Sequence, residues 1–491
     1  MNSISGGRES SIYSNLLPLA FKFLAVNPTR IFVFICLMIP ALYSTAQEAR
    51  KWTLEQCIDY AMAHNINVRQ AQITAQIAKN DKTQSMMNVL PQVDASASYN
   101  FNFGNSLNPV TYSFIESNSQ SSQMSLTGTL PLFTGLQQIH NVQRAKYDLI
   151  ASDFDYKAAQ NNIALSVSSA YLQILLNQEI VGVMEKQREL SASQKANTES
   201  RVKSGVLPDY SMYQIDAQLA RDEANLINAK GAYDISVLSL KQLLQLNDTL
   251  GFALDIPNVN VESIEAIGNE NSTSIYNFAV SNQPTILSAQ ARIKSADAQR
   301  KMALGNFSPT LSFFTQLSTG YFSQDQRVSR YDTIQTPFGP YATPAEYAKV
   351  PVGDQFGNNF RKIAGFQLSI PIFGKGQRFT NLANAKLQTQ LRTLQLESAK
   401  NTLRQDIEQA YNNARIAAES YYANKKSFES AQKSQEMLDK RYRSGMSNEF
   451  ELQQAKNTLA AAESEMAKAK YTYVFRLKVL DFYKGKKITL N

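Results

Sequence analysis

The stretch "LPLFTG", Leu130–Gly135, has a counterpart later in the chain, "IPIFGKG", Ile370–Gly376. The matched positions share an offset of 240 residues (131 to 371): Pro131 with Pro371 and Phe133 with Phe373. In both places a segment with strand-like alternation comes before the proline, and a long segment with helical periodicity follows the corner. The sequence therefore predicts the same strand-to-helix corner twice, which indicates an internal duplication.

The duplication extends beyond these corners. "RVKSG", Arg201–Gly205, matches "RYRSG", Arg441–Gly445, at the same offset (205 to 445). Pro91 and Pro309, in contrast, lie only 218 residues apart (91 to 309). The second half therefore carries 22 extra residues (240 − 218) between its early proline and its corner, which we interpret as a loop insertion.

Two segments in each half have the period of a β-strand. From Gln92 to Phe103 apolar and polar residues alternate without interruption, and the approach to each corner alternates as well. We predict β-hairpins at 92–133 and 310–373. A soluble sandwich would alternate too, but two hairpins within so much helix do not make a stable sheet alone. One apolar face and one face of Ser, Asn and Gln are typical of strands with lipid outside and water inside.

After each corner the period becomes that of a coiled coil. Apolar and small residues are spaced by three and four, as at Val167, Ala170 and Ile174 and their counterparts Ile407, Ala410 and Ala414. We predict long helices at 136–204 and 377–444, each roughly 100 Å long at about 1.5 Å per residue. This length argues against an ordinary helical bundle. Shorter helices are predicted at 53–89, 209–246, 272–306 and 447–484.

The N-terminus has the pattern of an export signal. Lys22 and Arg30 precede an apolar run from Ile31 to Leu42, and Ser44-Thr45-Ala46 fits a signal-peptidase site. Twelve apolar residues are too few for a membrane anchor, which is the alternative. The predicted organisation is a signal peptide at 1–46, a first repeat at 47–247, a linker at 248–271, and a second repeat at 272–491 that ends in a C-terminal tail.

Composition excludes several classes of function. Without the signal peptide, 46 Lys and Arg (49 − 3) face 40 Asp and Glu (41 − 1), a small and scattered excess that does not predict nucleic-acid binding. Only Cys57 remains in the mature chain, so no intrachain disulfide forms. Cys57 and His64 supply two ligands where a structural zinc site needs four, and "FGKGQ" lacks the spacing of a phosphate loop. We predict no enzyme activity, no metal and no cofactor.

The order and spacing of these features resemble the TolC-like outer-membrane efflux proteins from Trp52 to about Lys487. The resemblance implies an outer-membrane location in a Gram-negative bacterium. It also implies a homotrimer that acts as a passive exit duct in efflux or type I secretion. The implied partners are outer-membrane lipid, a periplasmic adaptor and an inner-membrane pump of the RND or ABC class.

The strand count independently favours an oligomer, and the resemblance decides for three copies. Four strands per chain cannot close a barrel, two chains would give eight strands with little lumen, and three would give twelve with an aqueous pore. The predicted fold class is mainly α with a four-stranded β contribution. In the homotrimer these parts form a long antiparallel coiled-coil α-barrel and a transmembrane β-barrel.

The resemblance also assigns roles to the helical turns. It implies that the adaptor docks at the turns containing Arg201, Gly205, Arg441 and Gly445, although glycine there is also explained by helix termination alone. The entrance gate would include Asp209, Tyr442 and Glu451. The family often has an acidic residue six positions after each glycine, where this chain has Glu451 in the second half but Ser211 in the first. A ring of three Glu451 carboxylates would attract cations, and a solvated glutamate is the alternative.

The corners are predicted to lie where strands leave the inner face of the membrane. Proline ends ladder pairing, phenylalanine suits the headgroup level and glycine permits the bend. The residues in this prediction are Pro131, Phe133, Gly135, Pro371, Phe373 and Gly376. Two other classes stay open: a periplasmic coiled-coil adaptor, and a structural spacer without a pore. The paired hairpins favour the channel over both.

Overall fold

The computed structural model describes residues 51–107, 112–116, 118–246, 252–255 and 271–489. The chain divides into two units, of which the smaller comprises residues up to Thr53 and Asp248–Asp255. Its described part is a parallel pair of short strands, β1 (Lys51–Trp52) and β6 (Ala253–Leu254). The predicted signal peptide at 1–46 and most of the predicted linker at 248–271 lie outside the described residues. All features below belong to the larger unit.

Each half of the chain contains four helices in the same order. In the first half they are α1 (Leu54–His64), α2 (Ile66–Met87), α3 (Gln137–Lys203) and α4 (Tyr210–Leu244). In the second half they are α5 (Ser272–Asn282), α6 (Pro284–Gly305), α8 (Gln377–Arg443) and α9 (Glu449–Tyr483). A short additional helix, α7 (Val352–Asn358), lies in the insertion. The long helices α3 and α8 are both 67 residues long.

The helical segment before each hairpin is broken in two, where the sequence predicts one continuous helix. In the first half Asn65 is extended and caps α2, because its side chain accepts a hydrogen bond from the Asn67 amide at 2.9 Å. In the second half Gln283 is extended, as expected for a residue that precedes a proline. Each break divides the predicted helix into a first part of 11 residues and a second part of 22 residues that leads to the sheet.

Four strands form one antiparallel sheet in the order β10-β7-β5-β2. Their ranges are β2 (Gln92–Asn102), β5 (Ser119–Phe133), β7 (Thr310–Phe322) and β10 (Arg361–Ser369). The two predicted hairpins are thus joined through β5 and β7. In the part of the chain that the structure describes, β2 and β10 are the edges of this sheet.

The register separates an apolar face from a polar face. Leu126 of β5 lies opposite Ala95 of β2 and Leu317 of β7. The neighbouring row contains Ser96, Ser125 and Ser318, and the Ser96 and Ser125 hydroxyls are 2.8 Å apart. Because side chains alternate along a strand, the apolar and serine rows point to opposite sides.

The insertion in the second half is not a plain loop. It contains a hairpin of β8 (Gln326–Thr336) and β9 (Gly339–Lys349), followed by α7. Gly339 has φ +111°, a conformation that glycine adopts without strain, at the turn between the strands. The first-half loop has a much smaller pair, β3 (Asn105–Leu107) with β4 (Phe114–Glu116).

The long helices differ in how completely the chain covers them. Helix α3 packs against α1, α2, α4, α6 and α9, and 17 of its residues are buried. Helix α8 packs against α5, α6 and α9, and only 7 of its residues are buried. The buried positions include the predicted coiled-coil residues Val167, Ile174, Ile407 and Ala414, which confirms the predicted periodicity.

Candidate functional site

The two long helices end in the same turn. The Gly205 amide donates to the Val202 carbonyl at 2.9 Å, and the Val206 amide donates to the Arg201 carbonyl at 2.9 Å. In the second half the equivalent bonds run from Gly445 to Tyr442 and from Met446 to Arg441, at 3.0 and 2.8 Å. This pattern is the Schellman motif, in which a left-handed residue ends the helix.

Glycine is needed at both turns because φ is +77° at Gly205 and +75° at Gly445. A Cβ at either position would meet nothing within 4 Å. Both turns are exposed at the surface of this chain. The requirement is therefore conformational, and open space remains around each glycine for a partner.

The helices that follow these turns begin differently. Asp209 precedes α4, is exposed, and makes no side-chain cap. Asn448 caps α9 by accepting from the Glu451 amide at 2.8 Å, and the Ser447 hydroxyl donates to the Glu451 carboxylate. Glu451 is thus held in the first turn of α9, where the helix dipole favours a negative charge.

One pair of predicted site residues connects the two turns directly. Arg201 Nη1 donates to the Tyr442 hydroxyl at 2.9 Å, and the guanidinium carbon lies 5.9 Å from the Tyr442 ring centre. Burial raises the pKa of Tyr442, the Glu449 carboxylate raises it further, and Arg201 opposes both. The hydroxyl therefore stays neutral at physiological pH and accepts the bond from Arg201.

A second polar layer lies one to two helical turns before Arg201 on α3, and none of its members is a site residue predicted from the sequence. Gln194 Nε2 donates to Glu449 Oε1 at 2.7 Å, and Thr198 donates to the same oxygen at 3.4 Å. Lys456 Nζ donates to Gln194 Oε1 at 2.7 Å. Burial lowers the pKa of Lys456, while Asp439 and Glu449 act in the opposite direction.

This layer is part of a regular ladder between α9 and α3. Charged residues recur every seventh position on α9, and we call Glu449, Lys456, Glu463 and Lys470 the α9 ladder. Lys186 pairs with Glu463 at 3.3 Å, and Glu179 pairs with Lys470 at 3.5 Å. The seven-residue spacing and the polar residues at buried coiled-coil positions, such as Gln194, are the sequence signals that could have revealed it.

The other side of α3 carries ion pairs to α4. Lys195 pairs with Asp216 at 2.7 Å, Arg188 with Glu223 at 3.9 Å and Glu185 with Lys230 at 3.0 Å. Deeper in this contact Asp222 accepts from Ser191 at 2.5 Å and from Gln218 at 3.0 Å. Helix α3 is therefore held by polar contacts on two flanks.

Both corners have two successive residues in the left-handed region. These are Gly135 and Leu136 in the first corner, with φ +62° at both, and Lys375 and Gly376 in the second, with φ +51° and +76°. At the offset of 240 residues Gly135 corresponds to Lys375, and Leu136 to Gly376. The glycine occupies the first place of the pair in one corner and the second place in the other.

The surroundings of the corners differ. A Cβ on Gly135 would lie 2.5 Å from the Gly305 carbonyl oxygen at the end of α6, whereas one on Gly376 would meet nothing within 4 Å. Strand β5 continues through Pro131 to Phe133 with a register shift, but β10 ends at Ser369, before Pro371. Phe133 and Phe373 are 45% and 84% exposed. Their place at the headgroup level stays a prediction.

The described residues offer little for metal or nucleophilic chemistry. Within these ranges no group of three or more His, Cys, Asp or Glu could hold a metal ion. Burial raises the pKa of Cys57 to about 12, so its thiol stays protonated and unreactive. Among the helices of the described ranges, none combines the length and apolarity needed to cross a membrane.

Comparison with known proteins identifies the architecture. The model of the family "Outer membrane efflux protein" matches residues 57–245 and 275–485. The outer membrane protein TolC of Salmonella enteritidis is 23% identical over 452 residues, which cover 91% of this chain and 84% of that protein.

Two solved channels share the fold. The CusC structure superposes with a TM-score of 0.71 at 15% identity, covering 88% of this chain and 92% of CusC. The Campylobacter jejuni CmeC outer membrane channel has a TM-score of 0.68 at 18% identity, covering 86% and 84%. Because the family model spans both repeats, it favours the channel over the adaptor and the spacer. The chain belongs to the outer membrane efflux protein family and is an outer-membrane channel component of an efflux system.

Proposed function

We propose that three copies of this chain form a passive exit duct. A twelve-stranded barrel crosses the outer membrane, and a helical tunnel below it receives solutes from an inner-membrane pump of the RND or ABC class through a periplasmic adaptor. The observation that carries this proposal is that the sheet ends in two edge strands, each unpaired on one side within the described residues, and that the long helix α8, which follows one of them, has only 7 buried residues.

The edge strands support closure by further copies. In the sheet order β10-β7-β5-β2 all neighbours are antiparallel. Strand β10 of one copy would therefore also run antiparallel to β2 of the next. Edge strands of 11 and 9 residues present unpaired backbone groups, and pairing all of them in a closed ring leaves no open edge.

The helices beside these edges support the same interface. Helix α2 leads into β2 and exposes Ile73 and Ile77, while α8 follows β10 and exposes Leu391 and Leu394. With Leu387, which is also exposed, the α8 stripe begins 10 residues from the sheet end of its helix, as the α2 stripe does at Ile77; this is roughly 15 Å at about 1.5 Å per residue. A partner that pairs the strand edges would cover both stripes at the same level.

The internal repeat supplies an independent argument. Helix α3 of the first half packs against α6 and α9 of the second half. By the symmetry of the repeat, α8 should pack against α2 and α4, and in the described part of the chain it has no comparable contact with them. Another copy would supply them, so three chains would alternate six equivalent long helices around one axis.

We orient the chain in the membrane by the two faces and the two ends of its sheet. We assign the apolar face to lipid and the serine-rich face to the lumen. The corners then lie at the inner side of the membrane and lead into the tunnel. The loops with β3, β4, β8 and β9 lie at the outer side.

At the opposite end of the long helices we assign the tip turns to the adaptor and the gate. Arg201, Gly205, Arg441 and Gly445 would contact the adaptor, since both turns are exposed and rigid. Asp209, Tyr442 and Glu451 would line the entrance. The Arg201–Tyr442 bond supports a closed resting state, because it ties the end of α3 to the end of α8.

Planar-bilayer recording tests this assignment. Glu451→Gln should lower cation selectivity, because it removes three carboxylates from the entrance. Arg201→Ala should raise the open probability, because the two turns are released from each other. Glu436→Gln, which neutralises an exposed carboxylate elsewhere on α8, is the matched control. Channels of unchanged selectivity and opening in both test variants would contradict the gate, and absence of any conductance in the wild type would contradict the duct itself.

A further inference from the structure

Helix α7 is anchored on the apolar face of the sheet. The Thr319 side chain shares that face with Leu317, and its hydroxyl donates to the Phe356 carbonyl at 2.7 Å. Gln355, which is 2% exposed, accepts from the Phe322 amide at 2.9 Å and donates to the Val350 carbonyl at 2.9 Å. Asn359 donates to the Gly320 carbonyl at 2.9 Å. The helix therefore lies over the outer part of β7 in a fixed position.

An apolar groove runs along this face of the sheet, and its outer part lies between the sheet and α7. Its inner part, about 480 Å³, is lined by side chains that include Ala95, Leu126, Leu317 and Phe360. Its outer part, about 460 Å³, is lined by side chains that include Tyr99, Tyr321, Val352 and Phe356. Ala97 and Met124 border both parts, so the two form one continuous groove.

The groove becomes polar toward the loop end of the sheet. Tyr321 and Val352 also border a third cleft of about 480 Å³, whose lining includes Gln120, Ser323 and Lys349. From Leu126 to Gln120 along β5 the groove spans roughly 20 Å at about 3.3 Å per residue. This length compares with roughly 15 Å for half of a bilayer's hydrocarbon core of about 30 Å.

Positive charge borders the groove. Lys362 lies opposite Leu317 on the apolar face, and its Nζ is 5.4 Å from the centre of the Phe360 ring. The ammonium is thus directed toward the loop end, as for a lysine that extends out of an apolar surface. Lys349 borders the polar cleft, and Arg327 near it pairs with Asp354 at only 3.9 Å. Lys362 thus borders the inner part of the groove, and Lys349 borders its polar outer end.

We propose that this groove binds an acyl lipid of the outer leaflet whose phosphate head group carries a net negative charge. The acyl chain lies along the apolar face of the sheet beside α7, and the phosphate lies near Lys349. This inference rests on the proposed assignment of the apolar face to lipid. It assigns a function to the insertion that distinguishes the second half from the first: α7 forms one wall of the lipid site.

Native mass spectrometry of the assembled full-length protein, released from micelles, tests the proposal. The probes are phosphatidylglycerol and phosphatidylcholine with matched acyl chains, supplied in equal amounts. The wild type should retain phosphatidylglycerol preferentially. Lys349→Glu should reduce that preference about fivefold, since a lysine near a membrane surface contributes on the order of 1 kcal/mol toward an anionic lipid.

The control and a second variant keep the outcome decisive. Lys426→Glu makes the same charge change on α8, roughly 70 Å from the sheet end of that helix at about 1.5 Å per residue, and should leave the preference unchanged. Phe356→Ser removes part of the groove wall and should lower retention of both lipids. A lysine variant that assembles like the wild type and keeps its preference would overturn the lipid site. Failure of the wild type to assemble would instead overturn the proposed duct.

Discussion

The two long helices are equal in length and end in the same turn, yet the chain covers them unequally. Helix α3 has 17 buried residues and polar contacts on two flanks, whereas α8 has 7 buried residues and exposes Leu387, Leu391 and Leu394. Local sequence determines that both are helices. Which helices cover them depends on their place in the chain. Helix α3 packs against helices of both halves, whereas α8 packs against helices of the second half.

The corners show the same contrast at the level of single atoms. The first corner lies against the end of α6, and the second meets no atom that would obstruct a Cβ at Gly376. The duplicated corners therefore have similar backbones but different neighbouring atoms. In our proposal another copy of the chain supplies the neighbours that the second half lacks.

The largest expected effect comes from the exposed stripe of α8. Leu391→Glu combined with Leu394→Glu should prevent trimer formation, because each leucine contributes about 2 kcal/mol when buried at an interface and a charge there is costly. Gln388→Glu with Gln390→Glu adds the same charges to exposed polar positions of this helix. Native mass measurement should show single chains for the leucine pair and trimers for the glutamine pair, and trimers for both would break the comparison.

A smaller effect is expected at the corners. Gly135→Ala should destabilise the protein by about 3 kcal/mol or more, because the new Cβ collides with the Gly305 carbonyl at a left-handed position. Gly376→Ala should cost only about 1 kcal/mol, from backbone strain alone. Urea unfolding of the extracted protein measures the difference, and equal losses would contradict the different surroundings of the two corners.

The corners also allow a stabilising test. Lys375→Gly and Leu136→Gly should each stabilise the protein by about 0.5–1 kcal/mol, since glycine relieves left-handed strain but gains entropy in the unfolded chain. Lys386→Gly, in the interior of α8, should destabilise by about 1 kcal/mol. A loss of stability on replacing Lys375 would show that its side chain makes a contact that outweighs the strain.

The smallest effect is expected in the α9 ladder. Lys186 is 70% exposed and Glu463 is 26% exposed, so solvent still screens the pair and a double-mutant cycle of their alanine variants should give a coupling of about 0.5 kcal/mol. Salt at about 1 M should remove most of it, because exposed charges are screened. A coupling energy several times larger would contradict the weak contribution that we expect from this ion pair.

The sequence was most informative where one physical rule acts locally. Periods of two and of three-to-four residues predicted the strands and the coiled-coil positions, and the repeated corner predicted where one gives way to the other. The break at Gln283 could also have been predicted, because Pro284 follows it. The left-handed conformations of Leu136 and Lys375 could not have been predicted, since neither residue type favours that conformation.

Contacts between distant segments were harder to predict. Arg201 and Tyr442 both belong to the predicted tip, but their hydrogen bond joins residues 241 positions apart and depends on how the two halves pack. The α9 ladder leaves a seven-residue signal in the sequence, yet the signal does not say whether α3 or α8 carries the partners. The fold of the insertion was missed because its residues are mostly polar and exposed.

Single-particle electron microscopy of the detergent-extracted protein tests the central claim most directly. We predict a particle with three-fold symmetry and a helical tube about 100 Å long, the length of 67 residues at about 1.5 Å per residue. In that particle α8 of each copy should pack against α2 and α4 of the next. A monomeric or two-fold particle, or a trimer in which α8 stays uncovered, would contradict the account.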